Sequence, residues 1–270
     1  MLTVNFVHNA DVRTAYQDLG EGECFVLVHG FTGSKLDFQN QMPWFSDTHR
    51  VIACDQRGHG DSSNRGPYDF YTLSADLLSF LDKLHIPRCH VLGHSLGGMV
   101  VMRALLAQPG RFHSAILMDT APYAPNLFPP QVFARLVEQV RQHGCESLLA
   151  GMIAQPQNAA VKRSIDYLGE KEHWRRIRAK LEAMDADAFA DLGELLNDHP
   201  SILPGLRAIA QPVTVMVGRD DQPFIAAARD MAETLPNADL QIIPDAGHSP
   251  QYENPEAWRA VVENHLARHS

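Results

Sequence analysis

His90-Val91-Leu92-Gly93-His94-Ser95-Leu96-Gly97-Gly98 is the stretch from which the fold can be read. An apolar run, His90 to Leu92, stops at Gly93, and a helix-period segment runs from Ser95 to Gln108, where Pro109 and Gly110 close it. Between them lies the pattern GxSxG. A serine on a sharp, strained strand-to-helix turn has its hydroxyl pushed out above the sheet, and the crowding there tolerates only small residues two positions to either side. Gly93 and Gly97 meet that demand. The pattern alone arises by chance roughly one time in ten in a chain of this size. The clean strand before it and the amphipathic helix after it make it structural.

Outward from this turn the same grammar repeats. Phe25 to Val28, Val51 to Cys54, Ala115 to Met118, Val213 to Val217 and Leu240 to Ile243 are solid apolar runs of four to six residues, suited to strands covered on both faces. Tyr71 to His85 places Leu73, Leu77, Leu78, Leu81 and Leu84 on one helical face. Strand and helix alternate, which predicts an α/β fold with a mostly parallel, doubly wound sheet. At the start, Thr3 to Val7 and Val12 to Leu19 alternate apolar with polar and predict an antiparallel hairpin around Asn9, Ala10 and Asp11. After Thr120 the alternation stops. Helical stretches at 131–143, 146–154, 158–168, 170–184 and 187–196 follow, entered through Pro122, Pro125, Pro129 and Pro130 and left through Pro200, Pro204 and Gly205. The predicted division is a core of 1–121 and 205–270 and a helical cap insertion of 122–204, positioned to act as a lid.

Composition narrows the function. The 270 residues are 45% hydrophobic and 20% charged, as in a globular protein, with a formal net charge of −9 and no basic block. Nucleic acid and anionic membrane surfaces are therefore not expected partners. Cys24, Cys54, Cys89 and Cys145 lack CxxC spacing and are expected as reduced thiols. No signal peptide or membrane span is readable, so a cytoplasmic location is expected.

A serine hydroxyl needs a base to take its proton and an acid to orient that base. In a doubly wound sheet both belong at the carboxyl ends of later strands. Val213 to Val217 runs into Gly218-Arg219-Asp220-Asp221, and Leu240 to Ile243 runs into Pro244-Asp245-Ala246-Gly247-His248. Together with His29-Gly30-Phe31, the loop Asp55-Gln56-Arg57-Gly58-His59-Gly60-Asp61-Ser62 and the Gly93 to Gly98 turn, these segments make five motifs in family order. On them the sequence resembles an α/β-hydrolase-fold serine hydrolase over nearly its whole length.

The resemblance implies Ser95 as nucleophile, His248 as base and Asp221, the fourth residue of G-x-x-D, as acid. Asp220 comes second, and Asp119 third because some relatives carry the acid on that earlier strand. It also implies an oxyanion hole from the backbone N–H groups of Phe31 and Leu96. His29, His59 and His94 are expected to pack loops and hydrogen-bond backbone, and the remaining histidines to be surface or partly buried polar residues. Asp55, His59 and Asp61 could be imagined around a metal, but a complete triad needs no Lewis acid and no HExxH or paired Cys/His spacing exists, so no metal or cofactor is expected. The absence of GxGxxG and GxxxxGK[ST] argues against nucleotide cradles.

Phe31, Met99, Tyr123, Phe128, Phe133, Met152, Ile153 and Phe189 predict an apolar substrate pocket, though helical spacing equally fits packing within the insertion. Lys171, Arg175, Arg176, Arg178 and Lys180 form what looks like a solvated helix face. The expected activity is cleavage of a small carboxylic ester or lactone through an acyl-serine. A cofactor-free haloperoxidase or perhydrolase and a carbon-carbon bond hydrolase would use the same triad, although Ser249-Pro250 replaces the aromatic usual in the latter. An epoxide hydrolase or haloalkane dehalogenase would carry Asp at position 95. A receptor retaining the pocket is the alternative of another class.

Overall fold

The structure is a computed structural model that describes residues 2–9 and 11–270. Ala10, at the tip expected for the first hairpin, lies outside the described residues. Eight strands form one sheet: β1 (Asn5–Asn9), β2 (Val12–Leu19), β3 (Glu23–Val28), β4 (His49–Cys54), β5 (Cys89–His94), β6 (Phe112–Met118), β7 (Val213–Gly218) and β8 (Ala238–Ile243). Their order is β1-β2-β4-β3-β5-β6-β7-β8. β1 pairs antiparallel with β2 and β2 with β4, and every pairing from β4 to β8 is parallel.

The solid apolar runs are explained by layers on both faces. Along β3, Val26 and Val28 join a core with α1 (Phe70–Lys83), α2 (Leu96–Ala107) and α8 (Gln222–Thr234), while Phe25 and Leu27 join Trp258, Val262 and Leu266 of α10 (Pro255–His269) on the other side. Side chains alternate faces with period two, and each face meets apolar cover. β3 is flanked by β4 on one side and β5 on the other. The loops after β3 and β5 therefore diverge at a switch point, where such a sheet opens a crevice beyond its carboxyl ends.

Between β6 and β7 the chain forms α3 (Pro130–His143), α4 (Leu148–Ala154), α5 (Ala159–Leu168), α6 (Glu170–Ala183) and α7 (Ala186–Asn197), with no strand among the described residues. A short helix, α9 (Pro250–Glu253), follows β8. Among the described residues no helix is long and apolar enough to cross a membrane. Cys54, Cys89 and Cys145 are buried, Cys24 is partly buried, and all four are free thiols.

Candidate active site

Ser95 occupies the junction of β5 and α2 with φ 53° and ψ −119°, a region costly for a residue with a side chain. The surroundings enforce it. Ser95 N–H donates to Met118 O at 2.9 Å, and Thr120 Oγ1 donates to Ser95 O at 2.6 Å. A Cβ on Gly97 would lie 2.5 Å from the carbonyl oxygens of Val28 and His29, and one on Gly93 would lie 2.6 Å from Gly97 O. Both neighbours are backbone and cannot step aside. Gly97→Ala is accordingly expected to cost about 2–3 kcal/mol or more through overpacking, visible as a melting temperature lowered by several degrees.

His248 follows β8. Its Nδ1 donates to Asp221 Oδ2 at 2.8 Å, and Phe224 stacks on the ring at 4.9 Å. Glu253 of α9 accepts from the N–H groups of Gly247 at 2.8 Å and Ser249 at 2.9 Å, clamping the loop on both sides of the histidine. His94 Nε2 donates to His248 O at 2.7 Å. Burial first, then the neighbouring His248, pushes His94 down to about 3, which keeps it a neutral donor. Among the described residues Ser95 Oγ makes no hydrogen bond to His248. The two residues line one cavity of about 580 Å³.

The three acids are separated by their partners. Asp220 Oδ2 accepts from Arg163 at 2.8 Å and faces away from the histidine, whereas Asp221 holds it. Asp119 lies close by: one donor atom each of Asp119, Asp221 and His248 fall within 4.8 Å of one another. Asp119 Oδ1 accepts from Gly218 N–H at 2.8 Å, while Oδ2 is buried without a partner. Burial, then the neighbouring Asp221, raises the Asp119 carboxyl well above the usual range.

The N–H groups of Phe31 and Leu96 have no protein acceptor among the described residues. Gly30 fits against Ser95, where a Cβ would come within 3.0 Å of the serine Cβ. His29 donates from Nδ1 to Gly30 O at 2.8 Å and accepts from Gln56 N–H at Nε2, and His59 Nδ1 donates to Arg57 O, so both act as the expected loop fasteners. Asp55 and Asp61 each accept from Lys35 Nζ at 2.6 Å, so an ammonium supplies the positive charge there.

The cavity takes in some of the expected pocket residues and leaves out others. Phe31, Phe128, Met152 and Phe189 line it. Met99 does not: it is fully buried in the core beneath the serine turn. Tyr123 is turned aside by a hydrogen bond from its hydroxyl to Asp230 at 2.8 Å. Phe133 forms a second row, stacked on Phe128 and Phe189, and Ile153 faces solvent. Leu136, Leu148, Ile177 and Leu181 add apolar wall that was not foreseen.

The expected solvated face of α6 also needs correction. Arg176 is buried and donates to Asn40 Oδ1 at 2.9 Å and Leu36 O, while Lys180 donates to Asp37 Oδ1 at 2.6 Å and reaches the cavity wall. Arg163 of α5 bridges Asp220 to Glu253. The inserted helices are thus fastened by cations to the loops that carry the site.

Comparison with known proteins bears on the family and the fold. Residues 23–255 match the family described as alpha/beta hydrolase fold. The chain is 28% identical to 3-oxoadipate enol-lactonase 2 of Acinetobacter baylyi, over 96% of this chain and 94% of that protein. It is also 28% identical to a non-heme chloroperoxidase of Kitasatospora aureofaciens, over 88% of this chain and 89% of the other. A malate-bound esterase from Thermogutta terrifontis superposes with a TM-score of 0.83 at 25% identity, covering 99% of this chain and 100% of the esterase. The chain belongs to the alpha/beta hydrolase fold family.

Proposed function

We propose that the protein is a serine hydrolase that cleaves a carboxylic ester or lactone of a small, largely apolar substrate through an acyl-serine intermediate. The observation that carries the reading is the strained Ser95 sharing one cavity with His248, whose other ring nitrogen is held 2.8 Å from Asp221. Asp221 fixes the tautomer with the proton on Nδ1, leaving Nε2 as the base. Ser95 Oγ attacks the carbonyl carbon and its proton passes to His248 Nε2. The resulting oxyanion is received by the free N–H groups of Phe31 and Leu96. Collapse breaks the ester C–O bond as His248 returns its proton to the departing alkoxide. Water, deprotonated by His248, then attacks the acyl carbon, and release of the acid regenerates Ser95. The direct Ser95–His248 hydrogen bond forms on substrate binding, as such bonds often tighten only in the substrate complex.

The apolar walls support an ester or lactone that is largely apolar, and the enol-lactonase relative supports lactone chemistry at such a site. The inserted helices serve as the lid of a cap over a core of 1–121 and 205–270, excluding water once substrate is in place. The test is turnover of a short p-nitrophenyl ester and a small lactone, with fluorophosphonate labelling in parallel. Ser95→Ala is expected to lower kcat by at least about 10⁴-fold and to abolish labelling. Its melting temperature should stay within about 2 °C of the parent. Labelling of Ser95 without turnover would mark a receptor; neither labelling nor turnover would overturn the mechanism.

A further inference from the structure

The opposite edge of the sheet carries a second cluster. β4, β3, β5 and β6 are consecutive neighbours, and at or beside their amino-terminal ends stand His49, Glu23, His90 and His113. Parallel register pairs Glu23 with His49 and His90 with Ser114. One donor atom each of Glu23, His49 and His90 lie within 4.8 Å of one another. His90 Nε2 is 3.6 Å from Glu23 Oε2, and His113 Nε2 is 3.7 Å from Glu23 Oε1.

Two further observations point to a ligand. The His90 side chain is 0% exposed, yet its Nε2 has no hydrogen-bond partner and faces Glu23. An unsatisfied buried ring nitrogen needs an explanation. Its other nitrogen, Nδ1, is held by Ser114 Oγ at 2.7 Å; Ser114 Oγ meets His265 Nε2 at 2.7 Å, and His265 Nδ1 meets Thr214 Oγ1 at 2.8 Å. This chain can be polarised in either direction. With the proton on His90 Nδ1, donated to Ser114, Nε2 presents a bare lone pair. A metal-bound histidine is oriented in this way by the partner of its other nitrogen.

We propose that Glu23, His49 and His90, joined on binding by His113 from beside Glu23, form a binding site for a divalent transition-metal ion of the zinc class. Three imidazoles and a carboxylate are a donor set that suits zinc. A tetrahedral zinc with bonds of about 2.0–2.1 Å sets donors roughly 3.3–3.4 Å apart, so His90 Nε2 and Glu23 Oε2 at 3.6 Å need close by only a few tenths of an ångström, while His49 and His113, which stands at the other Glu23 oxygen, swing in to complete the site. Glu23 is partly exposed, and a groove lined by Glu23, His49 and Ser270 gives the ion its entry. The site ties four strands together from below. His90 and Ser95 are five residue steps apart along β5, about 17 Å of extended chain, so the ion takes no part in the reaction.

The experiment uses the full-length, tag-free, chelator-treated protein titrated with Zn²⁺ by calorimetry, with melting curves at each ratio. One zinc per chain with a dissociation constant in the micromolar range or tighter, and a melting temperature raised by several degrees, are expected. The partly exposed residues give variants that keep the fold: Glu23→Gln and His113→Asn should each weaken binding at least tenfold, and the pair should remove the thermal shift. Co²⁺ should give the intense visible absorption of a four-coordinate site, lost in the double variant. Absence of saturable binding, or binding and a thermal shift that survive the double variant, would overturn the proposal. Ester turnover, read separately, should be indifferent to zinc.

Discussion

Asp221→Asn is expected to lower kcat/KM for ester cleavage by about 10⁴-fold, whereas Asp119→Asn should cost less than about tenfold. The two acids sit on neighbouring strands and both approach His248, so the experiment decides which one orients the base. Asp221 accepts the hydrogen bond from Nδ1. An asparagine there can turn its amide N–H₂ toward the ring, which drives the proton to Nε2 and leaves the serine without an acceptor. Asp119 instead spends Oδ1 on Gly218 N–H, and its buried Oδ2 finds no partner. Burial and the neighbouring Asp221 raise its pKa well above the usual carboxylate range, which favours its uncharged form. Replacing Asp119 by asparagine keeps an uncharged group of the same shape. A reversal, with Asp119→Asn the more damaging, would move the acid to the end of β6 and leave Asp221 as a spectator.

What the sequence made legible and what it concealed follow one division. Local patterns survive in one dimension. The six strands β3 to β8 announced themselves as apolar runs, the first hairpin as an alternation of apolar and polar residues, and the serine turn because its glycines touch backbone that no side chain could avoid. Properties created by distant contacts did not. Arg176 and Lys180 read as solvated charge, yet their partners Asn40 and Asp37 come from a loop some 140 positions earlier. The clamp from Glu253 onto the His248 loop carries no motif at all. The pocket wall depends on how the inserted helices dock, so Met99, Tyr123, Phe133 and Ile153 were as plausible in sequence as Leu136, Leu148 and Ile177. The helix Pro255–His269 escaped notice because its buried face mixes His265 with Trp258, Val262 and Leu266. The cluster Glu23, His49, His90 and His113 is invisible as spacing because the strands lie in sheet order β4-β3-β5-β6, not in chain order.

Acidification should unfold the protein well before its carboxylates lose their charge. His29, His59 and His94 are all fully buried beneath the site, pushed down by burial to about 4, about 3 and about 3 respectively. His29 faces Asp37, Lys180 and Lys35; His59 faces His29, Asp55 and Asp37; His94 faces His248, Asp37 and Asp221. The acids do not outweigh the loss of water. In the unfolded chain each ring takes a proton near pH 6.5, while in the folded chain it stays neutral until about pH 4 or 3. The unfolded state thus binds more protons throughout that window, and stability present above pH 6.5 is lost as pH falls. At pH 5 each histidine accounts for about 2 kcal/mol, so the three together remove roughly 6 kcal/mol, a large part of the 5–15 kcal/mol typical of a folded domain. Urea melts from pH 7.5 to 4.5 should show unfolding free energy dropping by at least about 4 kcal/mol per pH unit below pH 5.5, three protons being taken up by these rings and more by His90 and His265, which burial also pushes down to about 4 and about 3. The opposing contribution of Asp119, which binds its proton more tightly in the folded chain, removes less than one proton from that slope. His59→Gln should lower proton uptake by about one, because its ring is then absent from both states. A stability that stays level from pH 7 to pH 5 would mean that these rings accept protons inside the fold, and that water reaches the floor of the site.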